Sequence, residues 1–328
     1  MSLMVMKIKD LIHDLMEYPD PIIRWKMIRY GFNVGPSSSN YRAAKKELFS
    51  SPIIKQLLSG RDSNGQIPYH PYDKWFGAHW VLSILADFGY PEGDASLQPL
   101  VEQSYTWLLS KDHAKYIQTI NGRVRRCASQ EGNCVYYSLA LGLADERTEE
   151  LAERLIKWQW DDGGWNCDKR PEAAKSSFYE SLIPMRGLAW YAKISGNLQA
   201  RNAVNRAAQV FLNRQLFRRL ADGSIIDHSF VQLHYPCYWH YDILFGLKVM
   251  GEAGLIGDPH CIEALDILES KQLSIGGFPA ETKYYHADEK KLSGHSRVDW
   301  GGTSKIHMNP FVSVDALVVL KQSGRIAL

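Results

Sequence analysis

Apolar positions along this chain recur at helical spacing and show no sustained two-residue alternation, so the pattern predicts an all-α protein. Leu11, Ile12, Leu15 and Met16 fall on one helical face, Asp20-Pro21 supplies a cap and first helical position, and Gly31 a stop. Residues 7–17 and 21–31 therefore read as a short helical hairpin. Gly35-Pro36-Ser37-Ser38-Ser39-Asn40 is a loop by composition. Beyond it the pattern predicts five units, each an outer helix, a Gly-bearing loop and an inner helix. Helices are expected over 41–58 and 75–88, 97–109 and 134–143, 149–160 and 177–194, 202–217 and 236–250, then 258–272 and 309–324. Small-plus-Leu pairs on the inner helices, Gly187-Leu188, Gly246-Leu247 and Ala316-Leu317 among them, would let neighbours approach closely.

The loops carry the repeat. Gln159-Trp160-Asp161-Asp162-Gly163-Gly164-Trp165 returns 113 residues later as Gln272-Leu273-Ser274-Ile275-Gly276-Gly277-Phe278. A weaker copy lies between them at Gln215-Leu216-Phe217, so the period is 56 to 57 residues. This exceeds the roughly 34–47 residues of common open helical solenoids, and the extra length lies between outer and inner helix. A closed α/α toroid suits that spacing. It makes residues 1–328 one domain, with 1–35 as a hairpin packing on or closing the ring and 40–328 as five repeats. The later copies keep the Gln, the glycines and the aromatic but lose the acids. The motif thus reads as a structural joint rather than as a proton donor at Asp161 or Asp162.

Composition narrows the field. Hydrophobic residues make up 45% and charged residues 23%, ordinary globular values. A net charge of +2 lacks the basic excess of a nucleic-acid surface. Five cysteines without a tight pairing read as reduced thiols of a cytoplasmic protein, and no secretory signal or membrane-spanning run is expected. Ten Trp and 17 Tyr point to packing anchors at repeat junctions or to an aromatic-lined cavity.

Gln159 to Trp165 resembles the QW motif of the squalene cyclase and protein prenyltransferase β-subunit superfamily, whose fold is the α/α toroid. Over nearly its full length the chain is similar to bacterial and archaeal prenyltransferase or squalene-oxidase repeat proteins. The segments Asp20-Pro21-Ile22-Ile23-Arg24-Trp25, Tyr69-His70-Pro71, Leu85-Ala86-Asp87-Phe88-Gly89, 127–133 and 238–242 carry that likeness. The resemblance implies a helical ring around an aromatic-lined cavity and an isoprenoid or other apolar ligand. It transfers no activity. The cyclases' DxDD motif, the DDxxD motif of diphosphate ionisation and an Asp-x-Cys zinc pair are all absent.

Candidate chemistry sits at the starts of the inner helices, which a toroid would gather at one mouth. Asp242, expected inside a helix among Tyr238, Trp239, Tyr241 and Phe245, is the first candidate general acid. Glu180 is the second, although Ser177-Phe178-Tyr179-Glu180 also fits a capping box. Cys134, expected at a helix start, is the candidate nucleophile. His79, Trp80, Tyr137, Tyr179, His234, Tyr238, Trp239, His240 and Tyr241 are candidate substrate-binding residues, and Tyr179, Tyr238, Trp239 and His240 are expected to border one cavity. No cofactor is implied. Cys237 and His240, three apart, would make a zinc site only with further ligands such as Cys134, Cys167 or Asp168. The long polar loop over 283–305 reads as a lid, a binding loop or a mobile connection. Three functions fit: an enzyme acting on an isoprenoid or other apolar substrate, a non-catalytic ligand- or protein-binding toroid, and a carbohydrate-active toroid with paired carboxylates.

Overall fold

The computed structural model describes residues 3–274 and 276–328, with side chains from residue 8 onward. Met1, Ser2 and Ile275, the last a position of the C-terminal motif copy, lie outside the described residues. Among those described, the chain forms fourteen α-helices and two small two-stranded sheets. It opens with α1 (Leu3–Met16) and α2 (Pro21–Lys26), the latter running into a π-turn over Met27–Gly31. Then come α3 (Ser39–Leu48), α4 (Pro52–Leu58), α5 (Ala78–Phe88), α6 (Gln98–Leu108) and the short α7 (Lys111–Ala114). A hairpin of β1 (Gln118–Ile120) and β2 (Arg123–Arg125) leads to α8 (Ser129–Ala140). The chain continues through α9 (Glu146–Trp158), α10 (Phe178–Ser195), α11 (Leu198–Leu212), α12 (Ile243–Glu252) and α13 (Ile262–Ser270). The two-residue strands β3 (His286–Ala287) and β4 (His295–Ser296) precede α14 (Pro310–Gln322).

Six inner elements close a circuit. Helix α5 packs on α8, α8 on α10, α10 on α12, α12 on α14, and α14 on α2 with its π-turn. Trp25 Nε1 and Arg29 Nη1 donate to the Gly89 carbonyl at the end of α5, at 3.0 and 2.7 Å, and complete the ring. Helices α3, α6, α9, α11 and α13 back the inner helices from outside. The architecture is a mostly α-helical α/α toroid.

One backbone turn recurs between outer and inner helices. Trp160 N donates to Gly164 O and Gly163 N to Trp160 O; Leu273 to Gly277 and Asp62 to Gln66 repeat both bonds. After the turn, Trp165 N meets Ser181 Oγ and Phe278 N meets Ser313 Oγ, each serine on the inner helix that follows. Gly163 holds φ +100°, and a Cβ there would lie 2.3 Å from Arg206 O, so glycine is required. Gln159 Nε2 donates to Gly163 O and to Ala203 O of α11, while Trp160 Nε1 donates to Val124 O of β2. The loop therefore ties three successive repeats together. Asp162 receives Ser176 N and Oγ, a bond within the loop.

Several boundaries differ from the sequence pattern. The helix expected over 41–58 breaks at 49–51, where Ser51 caps α4 and Pro52 begins it. The helix expected from 149 with Thr148 as its cap starts at Glu146, because Asp145 caps it, and Thr148 bonds Tyr105. The helix expected from Pro236 starts only at Ile243. Asp242 accepts from Phe245 N at 2.8 Å and is the stronger cap, and Tyr238, at φ +42°, cannot be helical.

Charged side chains bridge the axis of the ring. Lys248 of α12 meets Asp87 of α5, its opposite across the ring, at 2.7 Å, and Asp315 of α14 at 2.9 Å. Lys26 of α2 meets Asp315 at 2.6 Å, and Arg186 of α10 pairs with Asp87 and Glu252. The Arg186 guanidinium lies 3.7 Å from the ring centre of Tyr136 on α8, so all six inner elements take part. Burial alone would push the Asp87 carboxyl up, but Lys248, Lys26 and Arg186 hold it well below the usual carboxylate range. Toward the C-terminal ends of the inner helices this network opens into a cavity of about 510 Å³ bordered by Tyr30, Tyr136, Trp190 and Gln322. A second concentration of rings lies at the opposite, N-terminal mouth.

Candidate functional site

At the N-terminal mouth, rings from several repeats form one continuous wall. Tyr179 and Trp239 stack with centroids 4.9 Å apart, Trp239 lies 5.5 Å from His240, and His240 stacks on Tyr284 at 3.6 Å. Trp75 stacks on Tyr238 at 4.2 Å and reaches His240 at 5.7 Å. His79 joins through Tyr72 and Trp80, and Tyr137 OH lies 3.3 Å from His79 Nδ1. The loop over 283–305 reaches across this wall. Trp75 Nε1 donates to Tyr284 O, Trp75 N to His295 O, and Gly294 N to Lys74 O.

Lys74 is the cation of this mouth. Its ammonium lies 4.9 Å from the centre of a Trp239 ring, 5.2 Å from Trp75 and 5.8 Å from Tyr72. It makes no ion pair among the described residues. Burial lowers its pKa, opposed by the nearby Cys127 and Glu180.

Glu180 is buried in the first turn of α10. Ser177 Oγ accepts from Glu180 N, as the capping pattern predicts, but the Glu180 carboxylate does not turn back to its own helix. Its Oε2 accepts from Ser129 N at 3.0 Å, so it caps α8, whose own cap position is Ala128 with no side-chain acceptor. Its Oε1 accepts from Trp239 Nε1 at 3.1 Å. Burial raises the pKa of this carboxyl, and the bonds from Ser129 and Trp239 and the charge of Arg126 oppose the rise.

Two thiols stand beside it. Arg125 bridges Asn166 and Arg126 N donates to Asn166 O, which sets residues 125–127 alongside 166–167. Sulfur atoms of Cys127 and Cys167 and an oxygen of Glu180 all lie within 4.8 Å of one another. Cys167 Sγ donates toward Glu180 Oε1 at 4.0 Å, and the two neighbouring thiols shift one another, Cys167 downward and Cys127, with burial adding to it, upward. Behind them Arg126 pairs with Glu131, which also meets His113.

Other expected site residues fall elsewhere. Cys134 lies in the middle of α8, fully buried, its thiol pushed up to about 12 by burial; it has neither a helix start nor a free thiolate to act as a nucleophile. Asp242 caps α12 rather than sitting within it, and is further tied to His234 through the His234 N–H at 2.9 Å and the ring Nδ1 at 2.7 Å. Tyr241 turns outward, its OH on Leu216 O and its ring against Phe211 of α11. Cys237 and His240 lie in the loop before α12, not in its first turns. His240 stacks on Tyr284, and the group of three ligating side chains found close together among the described residues includes neither Cys237 nor His240. Lys74, Tyr72 and the juxtaposition of Cys127 with Cys167 carry no sequence signal. The two cysteines are forty residues apart and meet only through the backbone pairing at Asn166.

The site thus defines a mostly α-helical ring with an aromatic mouth, a buried carboxyl group and two adjacent thiols. No family model matches the chain, and no curated protein matches it. Among solved structures, a type II terpene cyclase from Scytonema, in complex with its substrate geranylgeranyl dihydroxybenzoate, aligns over 83% of this chain and 96% of its own, at 12% identity and a TM-score of 0.28. At that score the likeness carries no argument about activity. No helix among the described residues is long and apolar enough to cross a membrane.

Proposed function

We propose that the N-terminal mouth binds and transforms an isoprenoid or comparably apolar substrate through a state of developing positive charge. The observation that carries this reading is the convergence of Tyr72, Trp75 and Trp239 on one ammonium position. Aromatic faces stabilise a cation by about 0.5–2 kcal/mol each, more as water is excluded. Lys74 holds that position without an ion pair among the described residues, so ring contacts and the charge of the nearby Glu180 are what oppose its displacement. The rings beyond it, Tyr179, Tyr238 and His240, supply apolar surface for a hydrocarbon chain. The carbohydrate reading would need two facing carboxylates. Asp242 is consumed by a helix cap and Glu180 bonds to different partners, which leaves that reading without its acid–base pair.

Geranylgeranyl diphosphate and squalene serve as probes, with native mass spectrometry and quenching of tryptophan fluorescence as readouts. Binding of either probe, weakened about tenfold or more in Trp239→Ala and in Tyr179→Ala, is expected. Failure of both probes to bind, or equal binding by the variants, would overturn the reading.

A further inference from the structure

We infer that Cys127, Cys167 and Glu180 form a three-ligand site for a thiophilic divalent cation, zinc being the fitting class, with its fourth position open on the side of the two sulfurs. Two sulfurs and one carboxylate oxygen within 4.8 Å of one another are close to the spacing such an ion needs. Ligands held tetrahedrally at about 2.0–2.3 Å from a metal lie on the order of 3.7 Å apart. Cys167 Sγ already lies 4.0 Å from Glu180 Oε1, so closure requires only a small movement.

The supporting groups have the right chemistry. Glu180 is oriented by Ser129 N and Trp239 Nε1, outer bonds of the kind that fix a ligating carboxylate. Arg126 and Lys74 lie near enough to act electrostatically on these groups, and would offset the negative charge left when two thiolates and one carboxylate surround a dication. Glu180 is buried while both cysteines are partly open, so the free coordination position lies on the sulfur side. Three protein ligands with one open position is the pattern of a catalytic rather than a structural zinc site. Binding would release the thiol protons to solvent. The inference does not rest on the isoprenoid reading, because metal uptake is measured without substrate.

The full chain, purified under reducing conditions and equilibrated with zinc or cobalt(II), provides the test. One metal per chain is expected, with a thiolate-to-cobalt charge-transfer band. Cys127→Ser, Cys167→Ser and Glu180→Gln should each weaken binding more than about tenfold, while Cys237→Ser leaves it unchanged. Circular dichroism and metal-free melting of the variants separate lost ligation from lost folding. Substoichiometric metal in the native chain, cobalt bound without the charge-transfer band, or unchanged affinity in well-folded variants would overturn the site. So would a Cys127–Cys167 disulfide that forms in the presence of zinc. If zinc binds and the prenyl probes do not, the site stands and the isoprenoid reading falls.

Discussion

His79 illustrates how a side chain read as a ligand for substrate is also committed to the fold. It is fully buried among Tyr72, Trp80, Trp107 and Tyr137, and its Nε2 has no hydrogen-bond partner among the described residues. Burial lowers its pKa from 6.5 to about 3, so the folded protein holds it neutral. The sign follows from linkage. Between those values the unfolded chain binds a proton that the folded chain does not, so His79 leaves stability intact above about pH 6.5 and erodes it as pH falls toward about 3. The slope approaches about 1.4 kcal/mol per pH unit. Denaturant midpoints at about pH 7 and about pH 5 should therefore converge in His79→Gln relative to the native chain. An unchanged difference between the two proteins would show that His79 protonates in the fold. Glu180 makes the complementary point. The serine cap expected three residues before it is present, but the carboxylate is spent on α8 and the thiols, a choice that depends on which repeat lies next door.

At the scale of the element, the closest association is between α8 and α10. A Cβ on Gly187 would lie 2.5 Å from Gly132 O, and one on Gly132 would lie 2.7 Å from the backbone of Pro184. Neither obstacle is a side chain that can turn aside, so Gly187→Ala must push two backbones apart. A loss of about 1–3 kcal/mol is expected by chemical denaturation. A neutral result would mean that the two helices slide freely. The small residue at 187 was legible in the sequence as a place of close approach. The start of α12 was not, because Pro236 is a good first helical residue in isolation and loses only to the cap that Asp242 forms with Phe245 N. Legibility was highest where a local signal had no competitor: Asn309-Pro310 opens α14 and Ser177 caps α10 as the pattern predicts.

For the whole molecule, the ring of ion pairs across the axis decides what kind of toroid this is. Asp87 receives Lys248 and Arg186 and lies near Lys26, so Asp87→Asn leaves buried cations without their shared counter-charge. A loss of about 3–5 kcal/mol is expected, read as a lowered melting temperature with native helicity retained at low temperature. Retention of full stability would show that solvent already screens the network. The same ring divides the interior into two mouths, a charged cavity at the C-terminal ends of the inner helices and the aromatic wall at their N-terminal ends.

The sequence by itself determined the helical class, the repeat and the character of its joints, because helix periodicity, caps and a Gly-Gly turn are local properties that need few partners. Gln159 and Gly163 could be read as joint-builders before any contact was known. Only the tertiary structure decided that Asp242 is a cap, that Cys134 is core, and that Cys127, Cys167, Glu180 and Lys74 share one mouth. Those four come from three repeats, Cys167 and Glu180 from one and Lys74 and Cys127 from two others, and their proximity follows from ring closure and from one backbone bridge at Asn166, neither of which leaves a spacing in the chain. Lys26, Asp87, Arg186, Lys248 and Asp315 likewise read as ordinary charges along the sequence. They become a single network because opposite helices meet across the axis, where an unpaired charge would cost too much to bury.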